Sequence, residues 1–105
     1  MDWRKVELSG ATMLSRVSGE YEVIAPKIPY GGRFKVKVLE RNDGSFFATP
    51  NVCLKTADGS PDWLGATGRS EAEALENLLG SFMREINSRP SYTVDDFEWS
   101  DPTDF

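Results

Sequence analysis

Apolar residues follow two different rhythms along this chain. Over SEAEALENLLGSFMREI, residues 70–86, Leu75, Leu78, Leu79, Phe82, Met83 and Ile86 recur at offsets of 3, 4, 7, 8 and 11 from Leu75. That spacing is one face of an amphipathic helix. Ser70 and Glu73 supply an S-x-x-E capping box at its start, and Asn87, Ser88, Arg89 and Pro90 end it. The pattern predicts that Leu75, Leu79, Phe82 and Ile86 pack on a sheet. Gly80 costs about 1 kcal/mol inside a helix; it either admits a close neighbour or is simply tolerated.

The second rhythm is shorter. In RFKVKVLER, residues 33–41, Phe34, Val36 and Val38 alternate with Arg33, Lys35 and Lys37, and Arg41 follows in the charged phase. A period of two marks a strand with one wet face. Asn42, Asp43 and Gly44 predict a tight turn, because Gly accepts the positive φ such turns require. SFFAT then predicts a return strand ended by Pro50, NVCLKT (residues 51–56) a third strand, and WLGATG (residues 63–68) a fourth strand that feeds the helix. Upstream, GEYEVIAP predicts a strand through Tyr21 and Val23. Met13 and Leu14 predict a helical turn, and Pro26, Pro29, Gly31 and Gly32 an irregular connector. The natural partners of the helix are Phe34, Val36, Val38, Phe46 or Phe47, and Val52. The expected fold is α+β: a small antiparallel sheet of three to four strands with one amphipathic C-terminal helix on one face.

Charge changes this picture at one end. The chain of 105 residues has 17 acids and 12 bases, a net charge of -5. Five of those acids (Asp95, Asp96, Glu98, Asp101 and Asp104) lie in the last fifteen residues, SYTVDDFEWSDPTDF, which contain no base. Residues 1–90 therefore balance at 12 of each sign, and form the expected α+β domain. Residues 91–105 read as an acidic aromatic tail, with Tyr92, Phe97, Trp99 and Phe105 interleaved. Solvating acidic tails contain few aromatics. Phe97 and Trp99 thus point to an anchor in a groove, on this protein or another. Arg33, Lys35, Lys37 and Arg41 should line the outer sheet face, as a solvated face or as a docking surface for nucleic acid, an acidic patch or the chain's own tail.

The chemistry carried by side chains is sparse. The chain has no histidine and one cysteine. The usual general base and a structural zinc site are thereby excluded, and no catalytic residue, metal or cofactor is expected. The run DPTDF lacks the ligand spacing of a calcium loop. Cys53 reads as a small buried hydrophobe. A single thiol, with neither an apolar leader nor a membrane-length apolar run, leads to the expectation of a cytoplasmic protein.

ERNDGSFFATPNV resembles the hairpin of HicB-like antitoxin domains, and GATGRSEAEALENL resembles the strand, polar cap and helix that follow it there. The likeness spans roughly residues 33–86. The chain departs from the family pattern after Pro50, where Asn51 and Val52 stand in place of a Gly-Cys pair ahead of Cys53, and the loop ADGSPDWL is long. No helix-turn-helix or ribbon-helix-helix segment follows the helix. Double-stranded-RNA-binding domains share the order of elements, but their basic helix start is missing: Arg69 stands alone before Glu71, Glu73 and Glu76.

The resemblance implies a non-enzymatic module, antitoxin-like or immunity-like, that binds a basic protein such as a toxin or nuclease. The alternative is a nucleic-acid binder that uses the basic strand 33–41, with the acidic tail as autoinhibitor. The candidate surface is Arg33, Lys35, Lys37, Arg41, Asp95, Asp96, Phe97 and Trp99. The tail is expected to fold back on the basic strand, its aromatics supplying most of the holding energy and its acids the register.

Overall fold

The computed structural model describes residues 2–105. Among these described residues, seven strands and one long helix form an α+β fold with two antiparallel sheets. The larger has the order β1 (Ser15–Ile24), β2 (Arg33–Arg41), β3 (Phe46–Pro50) and β6 (Ala66–Gly68). The smaller has the order β5 (Pro61–Asp62), β4 (Val52–Lys55) and β7 (Phe97–Trp99). Helix α1 (Glu71–Ile86) packs on one face of the larger sheet.

Alternation sorts β2 as its sequence demands. Phe34, Val36 and Val38 are buried under the helix beside Ala48 of β3, while Arg33 and Lys35 stay exposed on the opposite, open face. The register sets Val38 against Ala48 and Leu39 against Phe47. Phe46 therefore belongs to the helix side and Phe47 to the open side. Gly44 takes φ +90 in the turn between these strands, a conformation that suits glycine.

The helix starts as expected, with the Ser70 hydroxyl accepting from the Glu73 N–H at 3.0 Å. Its buried stripe is Ala74, Leu78, Phe82 and Ile86; Leu75, Leu79 and Met83 flank it, partly buried. The stripe is thus rotated relative to the expected Leu75/Leu79 face. The reason is the close approach of β6. A side chain on Gly68 would lie 2.4 Å from the Ala74 backbone nitrogen, so the small Ala74, rather than Leu75, faces the sheet there. Nothing crowds Gly80, which is exposed and simply tolerated.

Other expectations change. Met13 and Leu14 form no helical turn; the Leu14 carbonyl accepts from the Asn42 N–H at 2.9 Å. A short 3-10 turn lies instead at Trp3–Lys5. The β1 strand is longer than GEYEVIAP implies, and a bulge between Val17 and Gly19 reverses its phase. Tyr21 and Val23 then face the helix side, opposite Val36 and Phe34, while Val17 faces out beside Leu39. The segment 51–56 does hold a strand, but Asn51 turns it out of the larger sheet. β3 pairs with β6, and β4 pairs with β5 and β7. Only residues 66–68 of the segment 63–68 are strand, and Trp63 before them is exposed.

Candidate functional site

The open face of the larger sheet carries charge in stripes. In the antiparallel register Glu20 stands opposite Lys37 and Glu22 opposite Lys35. Diagonal ion pairs follow, Lys35–Glu20 at 3.7 Å and Arg33–Glu22 at 3.4 Å. Two of the four bases of the candidate surface are therefore matched within their own sheet. Arg41 lies over the Phe47 ring, 4.8 Å from its centroid. Lys37 donates to the Phe105 main-chain oxygen and sits 4.7 Å from that ring's centroid.

Phe105 arrives there because the tail is folded. Tyr92 donates its hydroxyl to the carbonyls of Ile86 (2.9 Å) and Glu85 (3.1 Å), which caps the end of α1. Arg89 covers the Tyr92 ring at 4.5 Å. A 3-10 turn, Val94–Asp96, follows, with the Asp96 carboxylate accepting from the Thr93 N–H at 2.8 Å. This bond comes first among the causes that hold the Asp96 carboxyl below the usual range, with smaller help from the Thr93 hydroxyl, Arg89 and Lys55. β7 then pairs with β4, Phe97 opposite Leu54 and Trp99 opposite Val52.

Phe97 is 4 % exposed and belongs to the core, with its ring 5.4 Å from that of Tyr92. Trp99 packs beside Tyr30 at 6.0 Å, and its buried Nε1 has no hydrogen-bond partner among the described residues. Beyond β7, the Ser100 N–H donates to the Asn51 carbonyl at 2.9 Å. The two aromatics expected as anchors thus dock on this protein itself. The register comes from a backbone ladder, in place of the expected acid–base pairing with strand 33–41. Among the described residues none of the five tail acids forms an ion pair.

Asp95 and Asp96 line a cleft of about 510 Å³ between the tail and the turn joining β4 to β5, with Lys55, Thr56, Gly59 and Arg89. Across the turn, the Thr56 hydroxyl and then the Ser60 N–H hold the Asp58 carboxyl down at about 2. Asp101 is held low by the Thr103 N–H and hydroxyl. Asp58, Asp96 and Asp101 are therefore ionised at neutral pH. Cys53 is buried in β4, and burial pushes its thiol up to about 11, so a thiolate nucleophile is not at hand. Among the described residues no three His, Cys, Asp or Glu side chains converge on a metal position, and no helix is long and apolar enough to cross a membrane.

Sequence reasoning missed the acids that organise the body. Glu40, the one charged residue in the buried class among those described, is clamped by Arg4 and by Arg16 (3.1 Å), and Trp3 lies against both guanidinium groups. The Glu71 carboxylate accepts from the hydroxyls of Ser18 and Tyr21, tying the first turn of α1 to β1. Those bonds, Ser18 first, hold its carboxyl low. Only Glu20 and Glu22 left a readable signal, in the alternation of GEYEVI. Comparison with known proteins finds no matching family model, no matching curated protein and no matching solved structure.

Proposed function

We propose that this chain is a non-catalytic protein-binding module, of antitoxin or immunity type, whose partner is a basic protein. One observation carries the reading: the folded molecule matches Arg33 and Lys35 internally with Glu22 and Glu20, and leaves the acids of an ordered tail unpaired. Acids held in fixed places without an ion-pair partner, even with Lys55 and Arg89 beside Asp96, attract a basic partner and speed its encounter. The resemblance of residues 33–86 to HicB-like antitoxin domains supports the same reading, in which the partner would be a small basic ribonuclease. The test is to capture partners on the full chain from its own cells and reconstitute the complex from purified components. A basic protein should bind, release as salt rises, and bind more weakly to Asp95→Asn/Asp96→Asn. A partner that is neutral or acidic, or binding indifferent to salt, contradicts the reading.

The contact of Phe105 with Lys37 favours a second reading. Here a nucleic acid takes the face of Arg33, Lys35, Lys37 and Arg41 once the tail end lifts away. Deleting residues 101–105 separates the two readings. A nucleic-acid binder gains salt-sensitive RNA affinity on deletion; a module for basic proteins does not.

A further inference from the structure

β1 is one of the two edge strands of the larger sheet and runs for ten residues, against three for β6 at the other edge. Its inner side pairs with β2. Among the described residues, none of the backbone hydrogen bonds outside the ladders reaches residues 15–24. Trp3 lies on Arg16 near one end, which leaves residues 19–24 as the open stretch. An edge of this length offers unpaired N–H and C=O groups to another strand, a hazard that proteins usually blunt. Here Glu20 and Glu22 point to the open face, and Ile24 on that face is 65 % exposed.

We infer that this edge is a strand-addition site for an extended basic segment of the partner protein, with Lys or Arg at every second position and apolar residues between. The inference rests on reading the chain as a module for basic proteins, and it names how that partner docks. Charge order along the sheet selects this occupant. β2 presents Arg33, Lys35 and Lys37 on the open face, and β1 presents Glu20 and Glu22 beside them; each carboxylate already meets one base, Lys35 or Arg33, yet stays about half exposed and open to a second on its outer side. A third strand continues the stripes only if its open-face positions are basic, since opposite charges across strands attract and like charges repel.

The alternate side chains of that strand would fall beside Tyr21 and Val23, which face the helix side and are only partly buried. Apolar residues suit those positions. Lysine stems would also cover Ile24 while their ammonium groups stay in water. A second copy of this chain is a poor occupant. Antiparallel self-pairing centred on Tyr21 sets Glu20 against Glu22. The main-chain ladder would supply affinity and the alternating side chains specificity, as in other strand-addition complexes.

The test uses the full chain and a labelled octapeptide of alternating Val and Lys, followed by fluorescence anisotropy and amide exchange. The control is a peptide of the same composition with the four lysines in one block. The alternating peptide should bind saturably, bind at least about fivefold more tightly than the block, and add protection to β1 amides. Glu20→Gln/Glu22→Gln should weaken it by a similar factor. That variant keeps the strand's shape, and its unchanged circular dichroism guards against misfolding. Equal binding of both peptides, an unaffected Gln variant, protection outside β1, or dimerisation of the chain through this edge would overturn the inference. The failures are distinguishable. A basic natural partner that binds the Gln variant undiminished removes the edge site and leaves the module reading. Peptide binding without any basic natural partner does the reverse.

Discussion

The two sheets of this protein are held in different ways. The larger is covered by a sixteen-residue helix that buries Ala74, Leu78, Phe82 and Ile86 against three strands. The smaller is completed by a three-residue strand whose one buried side chain is Phe97. The helix layer is a cooperative core, since each buried side chain is supported by many others. The tail strand depends on one aromatic, a short ladder and the Tyr92 cap on α1. Elements with few buried apolar groups open at lower free energy than the core. The tail is therefore ordered yet poised to yield first.

The largest expected effect lies in the helix layer. Phe82→Ala should cost about 3–5 kcal/mol, as the loss of a buried aromatic does. Leu78→Ala should cost more than Leu79→Ala, because Leu78 is fully buried and Leu79 flanks the stripe. Urea unfolding checks the order. Equal midpoints for the two leucine variants would place the helix face wrongly.

Phe97→Ala comes next. In a closed core the same truncation would cost as much as Phe82→Ala, but a three-residue strand can open instead. The expected result is a smaller shift of the global midpoint together with exposure of β4. Cys53 reports it. With its thiol pushed up to about 11, the native protein at pH 8 holds only about a thousandth of it as thiolate, and burial blocks access. Thiol labelling should be slow in the wild type and at least about tenfold faster in Phe97→Ala. Equal rates would mean that β7 does not cover β4.

Acid should distinguish the sheets more gently. Asp58, Asp96 and Asp101 are all held below their ordinary 3.8, Asp58 at about 2. A carboxyl lowered in the folded state contributes stability above its unfolded value and loses it as pH falls through the folded value. All three lie in the smaller sheet's hairpin or in the tail. Between about pH 4 and pH 2, amide protection should fade there before it fades in the middle of α1, although Glu71 at the helix start and Asp43 in the turn between β2 and β3 carry a dependence of the same sign. Simultaneous loss in both regions would contradict the comparison. The smallest effect belongs to deletion of residues 101–105, a surface segment whose loss should move the urea midpoint by under about 0.5 kcal/mol. A larger cost would make Phe105 structural.

Much of the larger sheet was legible because its signals are local. Period-two alternation in 33–41, Gly44 in the turn and the Ser70–Glu73 box each act within a few residues. What stayed hidden depends on distant partners. The bulge at Val17–Gly19 breaks the alternation that would have announced all of β1. The rotation of the helix stripe depends on how closely Gly68 lets β6 approach. The second sheet could not be foreseen, because β4 finds its partner more than forty residues along the chain in β7. For the site, Phe97 and Trp99 were recognisable as anchors by their company of acids. Their groove was not, and neither was the partial cancellation of the β2 bases by Glu20 and Glu22.

Amide hydrogen exchange on the full chain at neutral pH tests the central claim most directly, namely that the acidic tail is a built part of the fold. Protection is expected at residues 97–100 and 52–54, weaker than in α1 and lost together in Phe97→Ala. Exchange of residues 91–105 at random-coil rates, with residues 52–54 unchanged by that substitution, would contradict it.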